Sequence, residues 1–441
     1  MSKVRSVFSP INSGWRDQRR AVGLLVRWAP VSTVVGIMAG AASALLLWSL
    51  DLATKVRESH HWLILLLAPA GLLVGLMYHY LGRPVEAGNN LILETIHEET
   101  QDMRRIIPVR MTPLILIGTF LTHLFGGSAG REGTAVQTGA SLADQLTRPL
   151  QLTLADRRIL LMAGVSAGFG SVFGTPLAGA IFGLEVLTLG RVSYEALLPC
   201  LLASFAGDLT VRALKVHHTI YTVPFAPQMH ALGILSAIVA GIIFGLVGMG
   251  FAKATHAVSK LAKRLIAFPP LRPAVGGVLV SCAVFACGTT KYIGLGIPTM
   301  VASFTGRVSA WDWVGKFVFT VATLGTGFKG GEVTPLFFIG ATLGNSLSHV
   351  LPLPAPLLAG MGFVAVFAGA ANTPIASTLM AVELFGAEAG AYAGIACVVS
   401  YLFSGHAGIY GAQRLGRAKV RAFVGEEGES LEEIAVERRR R

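Results

Sequence analysis

The GREGT motif at residues 130–134 places a charged pair, flanked by glycines, between two long apolar segments. The segment that follows, from Ala135 to Leu146, is typical of a helix, so Glu132 lies at a helix start within apolar surroundings. An ionised carboxylate is costly there unless donors stabilise it. The free N–H groups and the positive dipole end of the helix can do so, and they suit a small free anion equally well. A site that holds either its own carboxylate or a free anion is expected to act as a gate.

A buried structural ion pair between Glu132 and Arg131 is the alternative. Adjacent residues at a helix start point in different directions, which disfavours such a pair. Arg131, together with Lys329 in the second half of the chain, can instead raise the local anion concentration at the mouths of a path. For Lys329, a loop charge near lipid headgroups is an equally good interpretation.

The motif has a counterpart later in the chain. Glu132 and Thr134 recur as Glu332 and Thr334, 200 positions on, and the segment TPLA at 175–178 recurs as TPIA at 373–376, 198 positions on. Each copy of the latter ends in a glutamate, Glu185 or Glu383, which we expect to be structural. Glycine-rich breaks followed by helix starts at matching places in two halves predict a transporter built from repeats, with its site near the membrane midplane.

Composition agrees with a membrane location. Of the 441 residues, 53% are hydrophobic and only 14% are charged, whereas soluble chains carry about 25% charged residues. The mean hydropathy is +0.63, and apolar runs long enough to span a bilayer recur, which predicts an all-α polytopic membrane protein. The net charge of +12 is interpreted as basic cytoplasmic loops and two cytoplasmic termini, rather than as a nucleic-acid surface.

The helix and loop patterns predict one transport domain. Residues 1–20 are expected to form a cytoplasmic tail, residues 21–418 the transmembrane domain with repeat halves at about 21–214 and 229–405, and residues 419–441 a short charged cytoplasmic tail. The pair His217-His218 lies in a polar loop between the halves. Adjacent histidines do not share a helix face, and the four cysteines show no CxxC spacing, so neither a metal nor a cofactor is expected.

An enzyme is the rival class of function. The segment GVSAG at 164–168 fits the GxSxG pattern of hydrolases. That pattern requires a strand-to-helix turn, whereas here it continues a helix, so we expect close helix packing and no enzyme activity.

Together these motifs resemble those of the CLC family of anion channels and proton-coupled anion exchangers. GREGT at 130–134 is similar to the family's GREGP block, GGEVTP at 330–335 to its GGxFxP block, and GNNLI at 88–92 occupies the place of GSGIP. The chain departs from the chloride-handling members at five positions, listed here with the residue present: Asn89, Thr134, Val186, Glu332 and Thr334. This combination resembles the fluoride/proton antiporter branch, which exports fluoride against proton entry.

The resemblance implies a fold of many tilted and broken helices in two inverted repeats. It also implies that helix N-termini after Gly88, at Glu132 and at Glu332 converge on an anion path. Glu132 would be the gate and proton carrier. The anion would be bound by Asn89, Thr334, Tyr410 and the backbone N–H groups around Gly133 and Val333. Val186 stands where an internal proton-relay glutamate is usual. Glu332, a second buried carboxylate, would bind protons or accept a hydrogen bond from Thr334, unless it is purely structural.

The expected partners are fluoride, protons and the lipid bilayer, with chloride as the alternative anion. A chloride/proton antiporter or a passive chloride channel is therefore the second interpretation. The resemblance also implies a homodimer in the inner membrane, for which the segments Ser193–Leu214 and Pro352–Phe367 are candidate faces.

Overall fold

The computed structural model describes residues 9–98, 106–306, 308–419 and 426–440, and it is mostly helical, with two strands of two residues each. Residues 1–8 and 420–425, which belong to the two predicted tails, lie outside the described residues. Four helical stretches are long and apolar enough to cross a membrane, judged by length and composition. They are Val22–Ser59, His61–Leu81, Tyr194–Ala213 and Ala231–Leu265.

Eight helices make up the first half. They are α1 (Ser9–Ser59), α2 (Leu67–Leu81), α3 (Asn89–His97), α4 (Met111–Leu124), α5 (Glu132–Asp144), α6 (Leu154–Phe173), α7 (Pro176–Glu185) and α8 (Leu197–Ala213). Short 3-10 turns cover His61–Leu66, Arg83–Val85 and Tyr194–Ala196. α1 begins earlier than the predicted span, so residues 9–20 continue the first helix. α6 starts with a capping box in which Thr153 and Asp156 satisfy each other's backbone N–H groups.

The second half repeats this order. Its helices are α9 (Ala231–Leu265), α10 (Leu271–Cys287), α11 (Ile297–Thr305), α12 (Asp312–Gly325), α13 (Val333–Leu347), α14 (Ala355–Ala371), α15 (Pro374–Phe385) and α16 (Ala387–Phe403). The third helices of the halves, α3 and α11, have 9 residues each, and the fourth helices, α4 and α12, have 14 each. The repeat predicted from two short sequence blocks therefore extends over eight helices.

Two contacts show that matching elements of the halves run antiparallel, as inverted repeats require. Gly130 and Gly331 exchange both backbone hydrogen bonds in an antiparallel bridge. In addition, the Glu185 carboxylate at the end of α7 accepts from the first N–H groups of α15, and the Glu383 carboxylate at the end of α15 accepts from those of α7. Because each carboxylate lies at the positive end of the partner helix, the expected structural role of this pair has a physical basis.

Glycines let the inner helices approach closely. A methyl group at Gly139 on α5 would lie 2.3 Å from the carbonyl oxygen of Gly164 on α6, and one at Gly340 on α13 would lie 1.9 Å from that of Gly362 on α14. α14 is buried along its whole length from Leu357 to Ala371. The predicted dimer face Pro352–Phe367 is therefore wrong, because most of it lies at the centre of the subunit. α8 does present exposed apolar side chains, including Phe205 and Leu209.

The end of the chain folds back onto this domain. After α16, β2 (Arg414–Leu415) pairs in parallel with β1 (Thr188–Leu189), and α17 (Leu431–Arg440) follows. Leu189, Leu415, Leu431 and Ile434 form a small buried cluster. Residues 426–440, named here the C-terminal clip, thus dock beside the segment that follows Tyr410, and the described part of the predicted tail is a packed element.

Candidate functional site

Glu132 joins the two halves at their contact. It is the first residue of α5 and is fully buried, yet its carboxylate lies at the N-terminus of α13. Oε2 accepts from the backbone N–H of Thr334 at 3.0 Å and from that of Arg131 at 3.1 Å, and Oε1 accepts from the Thr334 hydroxyl. The carboxylate is therefore surrounded by hydrogen-bond donors at a helix N-terminus, which is the environment that would also bind a free anion.

The Arg131 guanidinium lies close to the Glu132 carboxylate, although the sequence predicted that these side chains point apart. Its Nε is 3.6 Å from Oε1 of Glu132, so the argument that adjacent residues point apart is wrong at this helix start. That Nε nevertheless makes no hydrogen bond to any described residue. Arg131 thus contributes positive charge beside the carboxylate without fixing its geometry.

A cavity of about 150 Å³, the central cavity, adjoins this contact and collects the other predicted residues. Asn89, Lys329, Glu332 and Tyr410 all line it. Asn89 is the first residue of α3, and its Nδ2 would lie 3.1 Å from a methyl group on Gly133. Tyr410 is 4% exposed, and Val333 is the buried first residue of α13. The three predicted helix starts, after Gly88, at Glu132 and at Glu332, do converge.

Of the two roles expected for Glu332, proton binding and acceptance of a hydrogen bond from Thr334, the structure contradicts the second. The Thr334 hydroxyl donates to Glu132, so the expectation that Glu332 accepts from Thr334 is wrong. Oε2 of Glu332 is buried and has no hydrogen-bond partner among the described residues. Buried carboxylate oxygens nearly always have a partner, and Glu332 also lines the central cavity, which favours proton binding over a purely structural role.

Lys329 connects the central cavity to a larger one. Its Nζ lies 4.0 Å above the Tyr78 ring, and it lines both the central cavity and an open cavity of about 790 Å³. We call the latter the Lys329 vestibule; it also contains Arg83, Lys263 and Arg272. Lys329 is therefore part of a basic mouth, which favours the anion-attracting interpretation over a loop charge near lipid headgroups.

On the other side of Glu132 the space narrows. The constriction, a cavity of about 10 Å³, is lined by Arg131, Glu132, Thr334 and the rings of Phe173, Phe337 and Phe363. That volume holds about one water molecule. Beyond it opens a cavity of about 320 Å³, the His218 vestibule, lined by Arg212, His217, His218, Tyr221 and Glu383. Glu132 thus separates two vestibules.

A buried basic cluster positions the loop that carries GREGT. Nε2 of His123 lies 3.1 Å from the Ala129 carbonyl oxygen, and Arg57 donates to the His123 carbonyl. Lys316, also buried, donates to the Gly294 carbonyl, while the Gly294 N–H donates to Gly127. The sequence did not indicate this cluster, because its members come from four distant segments.

Val186 stands in place of the relay glutamate that the resemblance implies, and its backbone joins a buried network of amide side chains. The Val186 carbonyl accepts from Nε2 of Gln413, and Oε1 of Gln413 accepts from Nδ2 of Asn372. Neither amide titrates, so this network holds the segment after Tyr410 in place and offers no carboxylate for protons. Within the described residues, no cluster of three or more histidine, cysteine or acidic side chains could hold a metal.

Known proteins match this chain over most of its length. The family model for voltage gated chloride channels matches residues 70–405. A chloride/fluoride channel protein of Pseudomonas syringae pv. tomato is 56% identical over 91% of this chain and 90% of its own length. An uncharacterized protein of Methanocaldococcus jannaschii is 25% identical over 86% of this chain and 93% of its own length.

Two solved structures share the fold. The crystal structure of a CLC-type fluoride/proton antiporter superposes with a TM-score of 0.84 at 37% identity, over 88% of this chain and 98% of that one. A slow cyanobacterial Cl⁻/H⁺ antiporter superposes with a TM-score of 0.75 at 18% identity, over 94% and 98% of the two chains. From its helix order, its central glutamate and these matches, this chain belongs to the CLC family and is a membrane-embedded anion transporter.

Proposed function

We propose that this protein is a fluoride/proton antiporter that moves fluoride out of the cell against proton entry. The observation that carries the proposal is the position of the Glu132 carboxylate. It is buried, held by the N–H and O–H donors of Thr334, and lies between two vestibules.

Exchange follows from competition for that place. An ionised Glu132 and a free anion both need the donors at the start of α13, so they exclude each other. Protonation removes the charge of the carboxylate and weakens the hydrogen bonds that it accepts from these donors. The anion can then enter while Glu132 carries its proton away, and this links the two movements.

The choice of fluoride is supported by the donors. Fluoride is small and strongly hydrated, so a site must replace its water with close hydrogen-bond donors. The Thr334 hydroxyl, the Asn89 amide and Tyr410 supply such groups around Glu132 and the central cavity. The relatives support the same choice, since one is named a chloride/fluoride channel protein and one structure is described as a fluoride/proton antiporter.

The orientation and assembly are part of the proposal. The basic Lys329 vestibule suits the cytoplasmic side, and the C-terminal clip packs beside the segment after Tyr410, which lines the central cavity on that side. We infer that both termini are cytoplasmic and that the His218 vestibule faces outside. We infer a multi-pass protein of the inner membrane that pairs as a homodimer through the exposed apolar face of α8. The GVSAG segment lies inside α6, where Gly164 and Gly168 pack against α5, which supports transport rather than hydrolysis.

Flux from liposomes tests the proposal. Vesicles loaded with fluoride or chloride are diluted into halide-free buffer, and efflux is followed with ion-selective electrodes and a pH-sensitive dye. We expect fluoride efflux to exceed chloride efflux greatly, and a fluoride gradient to drive protons uphill. Equal chloride efflux with proton movement would instead identify a chloride/proton antiporter, and anion flux without proton movement would identify a passive channel.

A further inference from the structure

The loop between α8 and α9 covers the Glu132 site on one side. His218, in this loop, lines both the His218 vestibule and the constriction. A methyl group on Gly174 would lie 2.6 Å from Cδ2 of His218, so the imidazole packs directly on the turn that ends α6. Its neighbour His217 is exposed and lines only the vestibule.

Both ring nitrogens of His218 are buried and neither makes a well-formed hydrogen bond to a described residue, although the Val172 carbonyl is near enough to favour the protonated ring. Nε2 lies 3.9 Å from Oδ1 of Asp208, which is likewise buried and unpaired, while the other oxygen of Asp208 bonds to Arg212 at 2.8 Å. A buried imidazole with two open nitrogens is unusual, since buried polar groups nearly always find partners. Such a ring can accept a proton on one nitrogen and release it from the other.

Protons need a route on this side because Glu132 has no contact with solvent. Its side chain is fully buried, and the constriction beside it holds about one water. The other groups around the constriction cannot exchange protons near neutral pH. Arg131 offers only hydrogen-bond donors, Thr219, Tyr221 and Thr334 offer hydroxyls, and the remaining walls are apolar.

We propose that His218 passes protons between the His218 vestibule and Glu132, through one water in the constriction. This inference rests on the proposed function, because it adds a residue to the proton path of the antiporter. The imidazole nitrogen that carries no proton first accepts one from the vestibule. The imidazolium then releases the proton on its other nitrogen to that water, which passes a proton to the Glu132 carboxylate and leaves the ring neutral.

The charges around His218 keep it in the form that this role requires. Burial, together with the positive charges of Arg131 and Arg212, lowers the pKa of His218, in the connecting loop, to about 4, although the Val172 carbonyl favours the protonated ring. Asp208, next to Nε2, also favours protonation, while His217 opposes it. Glu383 is the remaining acidic group of the vestibule. The resting ring is therefore neutral at neutral pH, with one donor and one acceptor nitrogen.

The test compares His218→Gln with His217→Gln in liposomes and measures fluoride-driven proton flux, together with fluoride binding by calorimetry. Glutamine keeps hydrogen-bonding groups but cannot carry a proton. We expect His218→Gln to lose at least about tenfold in proton flux with unchanged fluoride binding, and its flux to rise steeply as the pH is lowered. His217→Gln should match the wild type in every measurement.

The variant Arg212→Gln covers the case in which His218→Gln does not fold. Arg212 is largely exposed, and its removal should raise the pKa of His218 and shift the pH profile of exchange towards higher pH. Wild-type proton flux in His218→Gln, lost fluoride binding in that variant, or an unshifted profile in Arg212→Gln would each overturn the role of His218. If the wild type itself moves fluoride without protons, the proposed function fails, and this inference fails with it.

Discussion

The carboxylate of Glu132 is held by two donors of a residue that lies 202 positions away. Replacing it with glutamine keeps the size of the side chain but removes both the charge and the proton that it can carry. The amide oxygen can still accept from the backbone N–H groups and the amide nitrogen can donate to the Thr334 hydroxyl, so the variant side chain fits the same place without a charge.

For Glu132→Gln we expect a folded protein that no longer couples protons to fluoride. Flux from liposomes with a pH-sensitive dye measures this, and size-exclusion chromatography checks the fold. Proton pumping at the wild-type level in this variant would remove Glu132 from the proposed exchange.

Thr334 supplies a hydroxyl donor to the same place, and its repeat counterpart provides a matched control. Thr134 is also buried, but its hydroxyl pairs with that of Thr119 at 2.7 Å. A hydrogen bond to a charged group contributes about 1.5–3 kcal/mol, so Thr334→Val should weaken fluoride binding by roughly ten- to a hundredfold. Thr134→Val should leave binding nearly unchanged, as measured by calorimetry. Equal losses in both variants would show that the effect comes from packing.

At the scale of elements, the site depends on helices that start or end inside the protein. α3, α5 and α13 each begin beside the central cavity or the constriction, and each presents N–H groups there. Close glycine contacts between α5 and α6, and between α13 and α14, fix the positions of α5 and α13, and therefore of their N-termini at the site. The Glu185 and Glu383 caps tie the next helices of the two halves together.

The contact between α13 and α14 makes a direct prediction about stability. A methyl group at Gly340 would overlap the Gly362 carbonyl oxygen, and overpacking costs about 1–3 kcal/mol or more. Gly340→Ala should therefore lower the thermal unfolding temperature in detergent. Gly250 on α9 has no atom within 4 Å of such a methyl group, so Gly250→Ala should be neutral or slightly stabilising. An unchanged unfolding temperature for Gly340→Ala would contradict the close packing.

At the scale of the whole molecule, two inverted halves meet at one bridge, and the C-terminal clip packs against the segment after Tyr410. In the clip, Glu426 accepts from Arg438 at 2.6 Å, and Nδ1 of His406 lies 3.4 Å from the same carboxylate. The bond from Arg438 lowers the pKa of Glu426, and burial lowers the pKa of His406.

Both shifts make the docking of the clip weaker in acid. A lowered carboxyl pKa gives stability that is present above its unfolded value and is lost as the pH falls through the folded value. A histidine with a lowered pKa is protonated first in the undocked state, so docking weakens as the pH falls below about 6.5. Hydrogen exchange of residues 431–440 should therefore speed up on acidification. Glu426→Gln should exchange faster already at neutral pH, and a pH-independent rate in the wild type would refute this account.

The sequence by itself determined the class, the repeat and the central acid of this protein. Long apolar runs, low charge and glycine breaks follow from the bilayer, which satisfies no backbone donors, so they are readable without a fold. The GREGT and GGEVTP motifs similarly predicted where helices start, and the structure places those starts together.

Only the tertiary structure decided which groups meet. Thr334 donates to Glu132 and not to Glu332, a contact between residues 202 positions apart. The histidine His218 faces the site from a loop that has no sequence pattern. Periodicity reports which face of a helix is apolar, but not how two inverted halves register. That register is set by glycine packing and by the Gly130–Gly331 bridge, which exist only once both halves have folded.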